Sequence, residues 1–437
     1  MGPPRSDHSW DAAVVGAGLS GMSAAMFAAN RGLSTIHIGG IGELQMSSGL
    51  MDLMQKPSPW RESPPTGRSP WRALDRLATD APDHPLAKLR PPSIRSAINE
   101  VFDFLKNNGL PYQCRPDDNV AVPTFGGTLK PTYGVPLTMW AGVEAFEAGR
   151  PSCIVGIEGL KGFSPRLIVE SLKDRWPKLR GAAVRFPGTR GEVFPTHLSR
   201  LLEEENRRRS FAGAIRPLLE GARAVGIPAI IGLSGGTGIL SDLTDAIGVP
   251  VFEVPTLPPS MAGIRLCQAF EKGLAGLGVH ALHGRRVHRI SRADGRWELT
   301  LEEGMQCGPI RSRCIILATG RFFGGGLTAD RRRIRESILD LPVVQPGRRE
   351  HWHSPDFFAP AGHPVNRAGL DIDRAFRPID RTGRFAAPSL FAAGSILARQ
   401  DWKRGKYGSG LSIATAYGAV AGALEYLELP QSRSIHP

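Results

Sequence analysis

The stretch from Asp11 to Gly32, DAAVVGAGLSGMSAAMFAANRG, limits what this chain can fold into more than any other. Ala12 to Val15 are short and apolar, as a buried parallel strand requires. Gly16-Ala17-Gly18-Leu19-Ser20-Gly21 then reads G-x-G-x-x-G. In that pattern the first glycine allows a tight turn, the second lets a phosphate approach the backbone, and the third lets the helix pack closely on the sheet. Ala24, Ala25, Ala28 and Ala29 give the following helix a slim face, Gly32 stops it, and Leu33 to Ile38 supply a second strand. The order is that of a nucleotide-binding βαβ unit, whose helix N-terminus offers N–H groups and a positive dipole end to a phosphate. An ordinary glycine-rich βα turn would leave that surrounding context unexplained.

One part of the pattern is missing. Dinucleotide sites place Asp or Glu at the end of the second strand to hold the adenosine ribose. Here the strand ends Ile36-His37-Ile38-Gly39-Gly40, and no acid lies between Asp11 and Glu43. A flavin mononucleotide has no adenosine ribose, so the residues point to FMN, with FAD as the alternative.

The chain's 437 residues suffice for two domains, and 41% hydrophobic with 22% charged residues is a globular balance. The net charge of +13 comes from scattered basic residues without a nucleic-acid motif. A basic proteome explains it most simply; an anionic small-molecule substrate, an acidic partner and an anionic membrane surface are the other readings. Cys114, Cys153, Cys267, Cys307 and Cys314 are spread without zinc or iron–sulfur spacing, which points to buried thiols in a reducing cytosol and to no metal centre on this chain. The first strand begins almost at once, without room for a signal peptide, and the longest apolar segment, Leu411 to Leu424, is too short to span a bilayer.

After the second strand, Ser47, Ser48 and Gly49 can donate to a ligand along the strand ends, or open a helix. Residues 55–70 read as a Pro/Ser-rich surface loop. A helix over 93–107 follows, then the loop Pro123–Thr132, where Lys130 is a candidate anion contact or a plain solvated lysine. Strands are expected at Ser152–Ile157 and Ala229–Leu233, and helices at Ser164–Trp176, Leu198–Arg209 and 262–277. Ser234-Gly235-Gly236-Thr237-Gly238 lacks the Lys-Ser/Thr of a P-loop; it is a βα turn or, as the other reading, a second phosphate loop. Val279–Ile290, Trp297–Leu301 and Ile310–Leu317 form a meander ending in Ala318-Thr319-Gly320, with Arg321 directly after it at a strand end. Ser389 to Ala393 give a last strand, turning at Gly394-Ser395, and Gly408-Ser409-Gly410 open a small-residue helix whose N-terminus can face a flavin pyrimidine edge.

With these residues in place the chain resembles the B-subunit family of the anaerobic glycerol-3-phosphate dehydrogenases. The resemblance rests on VVGAGLSGMSAA, LQMSSGLMDLM, GGTLKPT, GIEGLKGF, LFAAGS and the later GSG helix start. It implies a flavin subunit, usually assigned FMN, beside a flavin catalytic subunit and an iron–sulfur membrane-anchoring subunit. Electrons pass from sn-glycerol 3-phosphate, through dihydroxyacetone phosphate formation, to a quinone. Such a chain would be cytoplasmic and reach the inner face of the membrane only through its partner. Ser395 stands where the wider superfamily often has Asp.

The expected architecture is therefore α/β: a Rossmann-like flavoprotein fold of the two-dinucleotide-binding type with an inserted α/β cap. The flavin domain takes 1–92, 256–340 and 385–437; the cap takes 93–255, with 341–384 as its return segment. Gly16, Gly18, Ser20 and Gly21 cradle phosphate; Ser47, Ser48, Gly49, Gly320, Gly394, Ser395, Gly408, Ser409 and Gly410 surround the rest of the flavin. Lys130 and Arg321 are the candidate catalytic residues. The rival readings are a self-contained FAD dehydrogenase or fumarate-reductase-like enzyme on an anionic small molecule, and a non-catalytic scaffold subunit.

Overall fold

The computed structural model describes residues 9–40, 43–55, 68–234, 236–302 and 308–428. Most of the expected loop 55–70, together with Gly235 and Cys307, lies outside them. Contacts divide the chain into two units, Met1–Glu43 with Leu53–Val101 and Lys272–Pro437, and Leu44–Asp52 with Phe102–Glu271.

The first unit is built on one mixed sheet. Its strands are β1 (Ser9–Val15), β2 (Thr35–Gly39), β3 (His280–His283), β4 (Val287–Ala293), β5 (Arg296–Leu301), β6 (Ile310–Leu317) and β7 (Leu390–Ala392), in the order β3-β2-β1-β6-β5-β4 with β7 also beside β6. β3, β2, β1, β6 and β7 run parallel, while β4, β5 and β6 form the antiparallel meander. Two helices pack here, α1 (Leu19–Asn30) and α2 (Gly408–Leu427). Both are rich in Ala, Gly and Ser, so they approach each other and the sheet closely. The carboxyl ends of the parallel strands meet at one edge. Gly16 N donates to Ile38 O at 2.8 Å, Ala318 N to Val15 O at 2.8 Å and Ala393 N to Leu317 O at 2.9 Å. A crevice at such an edge is where open α/β sheets take ligands.

The single strand expected over 279–290 is two. Gly284 adopts φ +70°, and the chain turns there, so His280–His283 joins β2 as a parallel strand while the meander starts at Val287. That break places Arg285 and Arg286 at the end of β2, where Arg285 N donates to Gly39 O at 3.3 Å.

The second unit holds a four-stranded parallel sheet, ordered Val251–Val254, Val225–Pro228, Ser152–Ile157, Leu179–Val184. Ile154, Trp176, Phe211, Ile227 and Phe252 lie in its core. Ser164 caps the helix Pro165–Leu172 by accepting from Leu167 N at 3.3 Å, as its sequence indicated. The strand expected at Ala229–Leu233 lies earlier, at Val225–Pro228. Residues 229–231 are just as buried, but beyond the bond from Ala229 N to Val254 O at 2.9 Å side chains satisfy the backbone of Ile231: its N donates to Glu253 Oε1 at 2.6 Å and Arg265 Nη1 donates to its O at 2.7 Å. Glu253 and Arg265 form an ion pair at 2.5 Å with side chains 0% and 1% exposed. The helix expected over 198–209 is broken into Pro195–Leu201 and Glu205–Ile215, so the run 206–209 opens the second helix rather than closing the first. There Arg208 pairs with Asp242 at 2.7 Å.

Several segments group differently from expectation, among them 93–101, which falls in the first unit. Residues 341–384 group with the first unit rather than with the cap. Leu370, Ile372 and Phe376 are buried there, and Ala392 N donates to Phe376 O at 2.9 Å and Ala398 N to Leu370 O at 2.8 Å. Leu44–Asp52 and 256–271 group with the second unit: Ser260 N donates to Gln45 O at 3.1 Å and Tyr112 Oη to Gly49 O at 2.6 Å.

Candidate functional site

The carboxyl edge of the first unit's sheet carries a cleft of about 570 Å³. Its floor is the glycine turn, Val15 to Ser20; one side is Ile38-Gly39-Gly40 with Arg285 to His288 and Glu302; the other is Ala318-Thr319-Gly320 with Ser395 and Ser412. The glycines of the turn divide their work. A Cβ on Gly16, which has φ +130°, would stand 2.1 Å from Ala318 O, and one on Gly21 would stand 1.8 Å from Gly16 O. Both glycines are demanded by the fold. Gly18 is not: its φ is −76° and a Cβ there would meet nothing within 4 Å. It opens onto free space at the N-terminus of α1, where unpaired N–H groups and the helix dipole favour an anion. Ser20 Oγ at the floor and Thr319 Oγ1 at one side are buried and have no hydrogen-bond partner among the described residues. Open space at Gly18 and two unspent hydroxyls fit a polar, phosphate-bearing ligand.

Beneath the turn lies His37, 1% exposed in the middle of β2. Its Nε2 stands 2.8 Å from Gly16 O. Burial holds the imidazole pKa down to about 4, against the partial support of that hydrogen bond and with a further lowering from His283. The ring is therefore neutral, and because a carbonyl only accepts, Nε2 carries the proton. His37 thus ties the peptide at the head of the glycine turn to the second strand.

The remaining residues singled out in the sequence have mixed fates. Gly16, Gly18, Ser20, Gly320 and Ser395 line the cleft. Gly21 packs the helix. Gly394, at φ +80°, lets its turn approach Ser20, whose Cβ would lie 2.7 Å from an added methyl. At the start of α2, Gly408 makes room for the Trp402 ring and Gly410 for the backbone of Leu53. Both glycines serve packing; Ser409 is the residue between them, and Ser412 is the member of that helix start that reaches the cleft. Ser47, Ser48 and Gly49 belong to the second unit. There Ser47 Oγ accepts weakly from Gly49 N at 3.4 Å, and Gly49, at φ +74°, abuts Ala262.

Arg321, expected as a catalytic residue, is engaged with backbone. Its guanidinium donates to the carbonyls of Val365 at 2.9 Å and Ala368 at 2.7 Å, and to that of Asn366. Burial lowers its pKa to about 10, partly offset by Asp401 and Tyr407. It pins the 365–368 turn. Lys130, in the second unit, forms an ion pair with Asp52 at 3.0 Å, and the other carboxylate oxygen, Oδ1, is buried without a partner among the described residues. The sequence reading missed Asp52 as a partner for Lys130, because nearly eighty positions separate them. It also missed Arg285, Arg286, His288 and Glu302; the signal that could have found them was Gly284, a turn residue inside an apparent strand.

Among the described residues no His, Cys, Asp or Glu cluster could hold a metal ion, and no helix is long and apolar enough to cross a membrane.

The family model described as FAD binding domain matches residues 11–411. The B subunit of the anaerobic glycerol-3-phosphate dehydrogenase of Vibrio vulnificus (strain CMCP6) is 30% identical over 435 residues, covering 95% of this chain and 96% of that protein. The probable B subunit of the corresponding anaerobic dehydrogenase of Halobacterium salinarum (strain ATCC 29341 / DSM 671 / R1) is 31% identical over 430 residues, covering 94% and 97%. Among solved structures, 3-ketosteroid delta1-dehydrogenase from Sterolibacterium denitrificans matches 96% of this chain and 100% of its own at 13% identity, with a TM-score of 0.43.

Proposed function

Since the chain belongs to the FAD binding domain family, we propose that it is the flavin-containing B subunit of an anaerobic glycerol-3-phosphate dehydrogenase complex. In that role it takes part in oxidising sn-glycerol 3-phosphate to dihydroxyacetone phosphate, with electrons passed to a quinone. The observation that carries the reading is likeness to proteins of that name along nearly the whole of both chains. A relative named as one lettered subunit works among others, so the partners are a flavin catalytic subunit and an iron–sulfur subunit that anchors the complex at the membrane.

The flavin we assign is FAD rather than the FMN that the missing ribose acid favoured. The cleft does not stop at the glycine turn. It continues to Gly39-Gly40 and to Arg285, Arg286 and Glu302, which gives an adenosine moiety a place of its own. Glu302, which lines the cleft on the same side as the end of β2, supplies a carboxylate for a ribose that β2 itself does not. When bound, the flavin supplies hydride acceptance and electron release. The chain's own residues bind and orient. The N–H groups at the start of α1 hold the phosphates, His37 fixes the turn that presents them, and Ser20 and Thr319 donate or accept at the cleft floor and side. Lys130, held against Asp52, is the candidate contact for the anionic substrate.

Two measurements test this. Heat-released cofactor from protein made in flavin-replete cells is identified by chromatography, and dye reduction with glycerol 3-phosphate is compared for the chain alone and the chain co-expressed with its partners. FAD in near-stoichiometric yield, with turnover appearing only in the complex, supports the assignment. Robust turnover by the isolated chain would favour the self-contained dehydrogenase, and a flavin-free, colourless protein would favour a scaffold.

A further inference from the structure

Outside the cleft, the first unit carries six exposed arginines on two stretches, Arg331, Arg332, Arg333 and Arg335 on one, Arg348 and Arg349 on the other. Gln345 clips the stretches together: its Oε1 accepts from Ile334 N at 2.6 Å and its Nε2 donates to Ile334 O at 2.8 Å. Arg349 Nη1 also donates to Asp330 O at 3.0 Å. Two of these arginines are paired, Arg335 with Asp330 Oδ2 at 3.2 Å and Arg348 with Glu350 at 3.3 Å, and other carboxylate oxygens nearby are spent on the backbone. Asp330 Oδ1 accepts from Arg332 N and Arg333 N at 2.6 and 2.8 Å, and Glu336 is 2% exposed and accepts from Ile338 N and Leu339 N. Among the described residues the side chains of Arg331, Arg332 and Arg333 form no ion pair, so the cluster keeps a local positive excess.

A turn with the opposite character adjoins it. The Arg349 guanidinium lies 5.0 Å from the Trp352 ring, and the chain then loops over 353–362. Phe357 and Phe358 sit in this loop, 74% and 82% exposed, with ring centroids 5.0 Å apart. The loop satisfies much of its own backbone. Phe358 N donates to Asp356 Oδ1 at 2.9 Å, Ala359 N to Asp356 O at 3.1 Å, Ser354 Oγ to Gly362 O at 2.7 Å and Ser354 N to His363 Nδ1 at 3.1 Å.

We propose that this surface is a membrane-docking face for an anionic lipid bilayer, with Phe357 and Phe358 entering the headgroup layer and the arginines binding anionic headgroups. Adjacent bare aromatic rings cost free energy in water and gain it at the headgroup boundary. A loop that satisfies its own polar backbone can enter that layer cheaply. Each arginine near an anionic surface adds attraction that salt screens. An acidic protein would answer the arginines, but two projecting rings need a complementary pocket on such a partner, whereas lipid headgroups accept them without one. The attachment would be peripheral and direct, in addition to any anchoring through another subunit, and it does not depend on which flavin the cleft holds.

The test is co-sedimentation of the full-length protein with vesicles of phosphatidylcholine alone and of phosphatidylcholine with a quarter phosphatidylglycerol. Binding at least tenfold tighter to the anionic vesicles, weakening with salt, is expected. Replacing Arg331, Arg332 and Arg333 together by Ala should weaken it about a hundredfold, at about fivefold per arginine. Phe357→Ser with Phe358→Ser should weaken it at least fivefold at fixed salt; Phe358→Ser alone repeats the test if the double variant melts early. A control triple, Arg166→Ala, Arg190→Ala and Arg200→Ala, removes the same charge from exposed positions in the second unit and should bind as the parent does. Equal binding to both vesicle types, an equal loss in the control triple, or parental binding by the phenylalanine variants would each overturn the proposal. So would patch variants that keep vesicle binding but lose an acidic protein partner on co-purification.

Discussion

At the scale of single residues, the glycine turn separates what the fold needs from what a ligand needs. Gly16 and Gly21 are pressed against backbone oxygens, so a methyl on either collides with the protein itself. Gly18 faces open space with ordinary dihedral angles, so nothing in the protein excludes a side chain there. Gly18→Val should therefore fold, losing on the order of 1 kcal/mol as a poor helix cap, yet release its flavin. Gly16→Val should fail to fold well. Thermal melts and bound-flavin absorbance distinguish the two, and a Gly18→Val protein that keeps full flavin would remove the turn from the site. All three glycines were legible in the sequence, but their separate duties were not, because the duty depends on what lies opposite each Cα. The same limit applies to Arg321. Its place after a strand end was correct, but its guanidinium is spent on the carbonyls of Val365, Asn366 and Ala368, some forty-five positions away.

At the scale of elements, the sequence spoke clearly wherever local signals sufficed. β1, α1, the helix Pro165–Leu172 with its Ser164 cap, and β6 all lie close to where the pattern of apolar residues and caps put them. It misled where a tertiary partner replaced a local one. Residues 229–231 have the apolar run of a strand, but after Ala229 N bonds Val254 O, Glu253 and Arg265 take the hydrogen bonds of Ile231 that a ladder would have taken. The run 279–290 hid a turn, because one glycine in twelve residues is a weak break until its φ is known. α2 shows the same dependence and gives a prediction. Alanine is usually the better helix former than glycine by about 1 kcal/mol. At Gly422 the sign should reverse. An added Cβ would lie 2.3 Å from Ala375 O and 3.0 Å from the Phe391 ring, so the segment 373–376 must move away from the helix. Gly422→Ala should destabilise by about 1–3 kcal/mol, as overpacking does. Gly276→Ala, whose Cβ would meet nothing within 4 Å, serves as the control in urea titrations and should be neutral or mildly stabilising.

At the scale of the whole molecule, the first unit combines an anion-seeking cleft with two imidazoles kept neutral by burial, and this sets how the protein meets acid. His37 supports the glycine turn. His84, 1% exposed, lies with Nε2 3.1 Å from the hydroxyl of Tyr407, the residue that precedes α2. Burial lowers the pKa of His37 to about 4 and that of His84 to about 3, from an ordinary 6.5. The unfolded chain therefore takes up protons on these rings below about pH 6.5 while the folded chain does not, and stability falls as pH falls through that window. Above pH 6.5 the contribution is complete. At pH 4.5 each ring has lost about two pH units' worth, roughly 3 kcal/mol, so the pair removes about 5 kcal/mol of a net stability of order 5–15 kcal/mol. Glu336, raised mainly by burial, pulls the other way but concerns one carboxyl against two rings. Urea unfolding at pH 7.5, 5.5 and 4.5 should show a steady loss across the window. His37→Gln keeps an N–H donor for Gly16 O without a titrating ring, so it should remove about half of the slope and retain flavin at pH 7.5. His37→Leu should flatten the slope equally but loosen the flavin, because the peptide at the head of the turn loses its tie to β2. A parent protein equally stable at pH 7.5 and 4.5 would show that these rings are not held neutral, and flavin retention in His37→Leu would show that the turn stands without its imidazole.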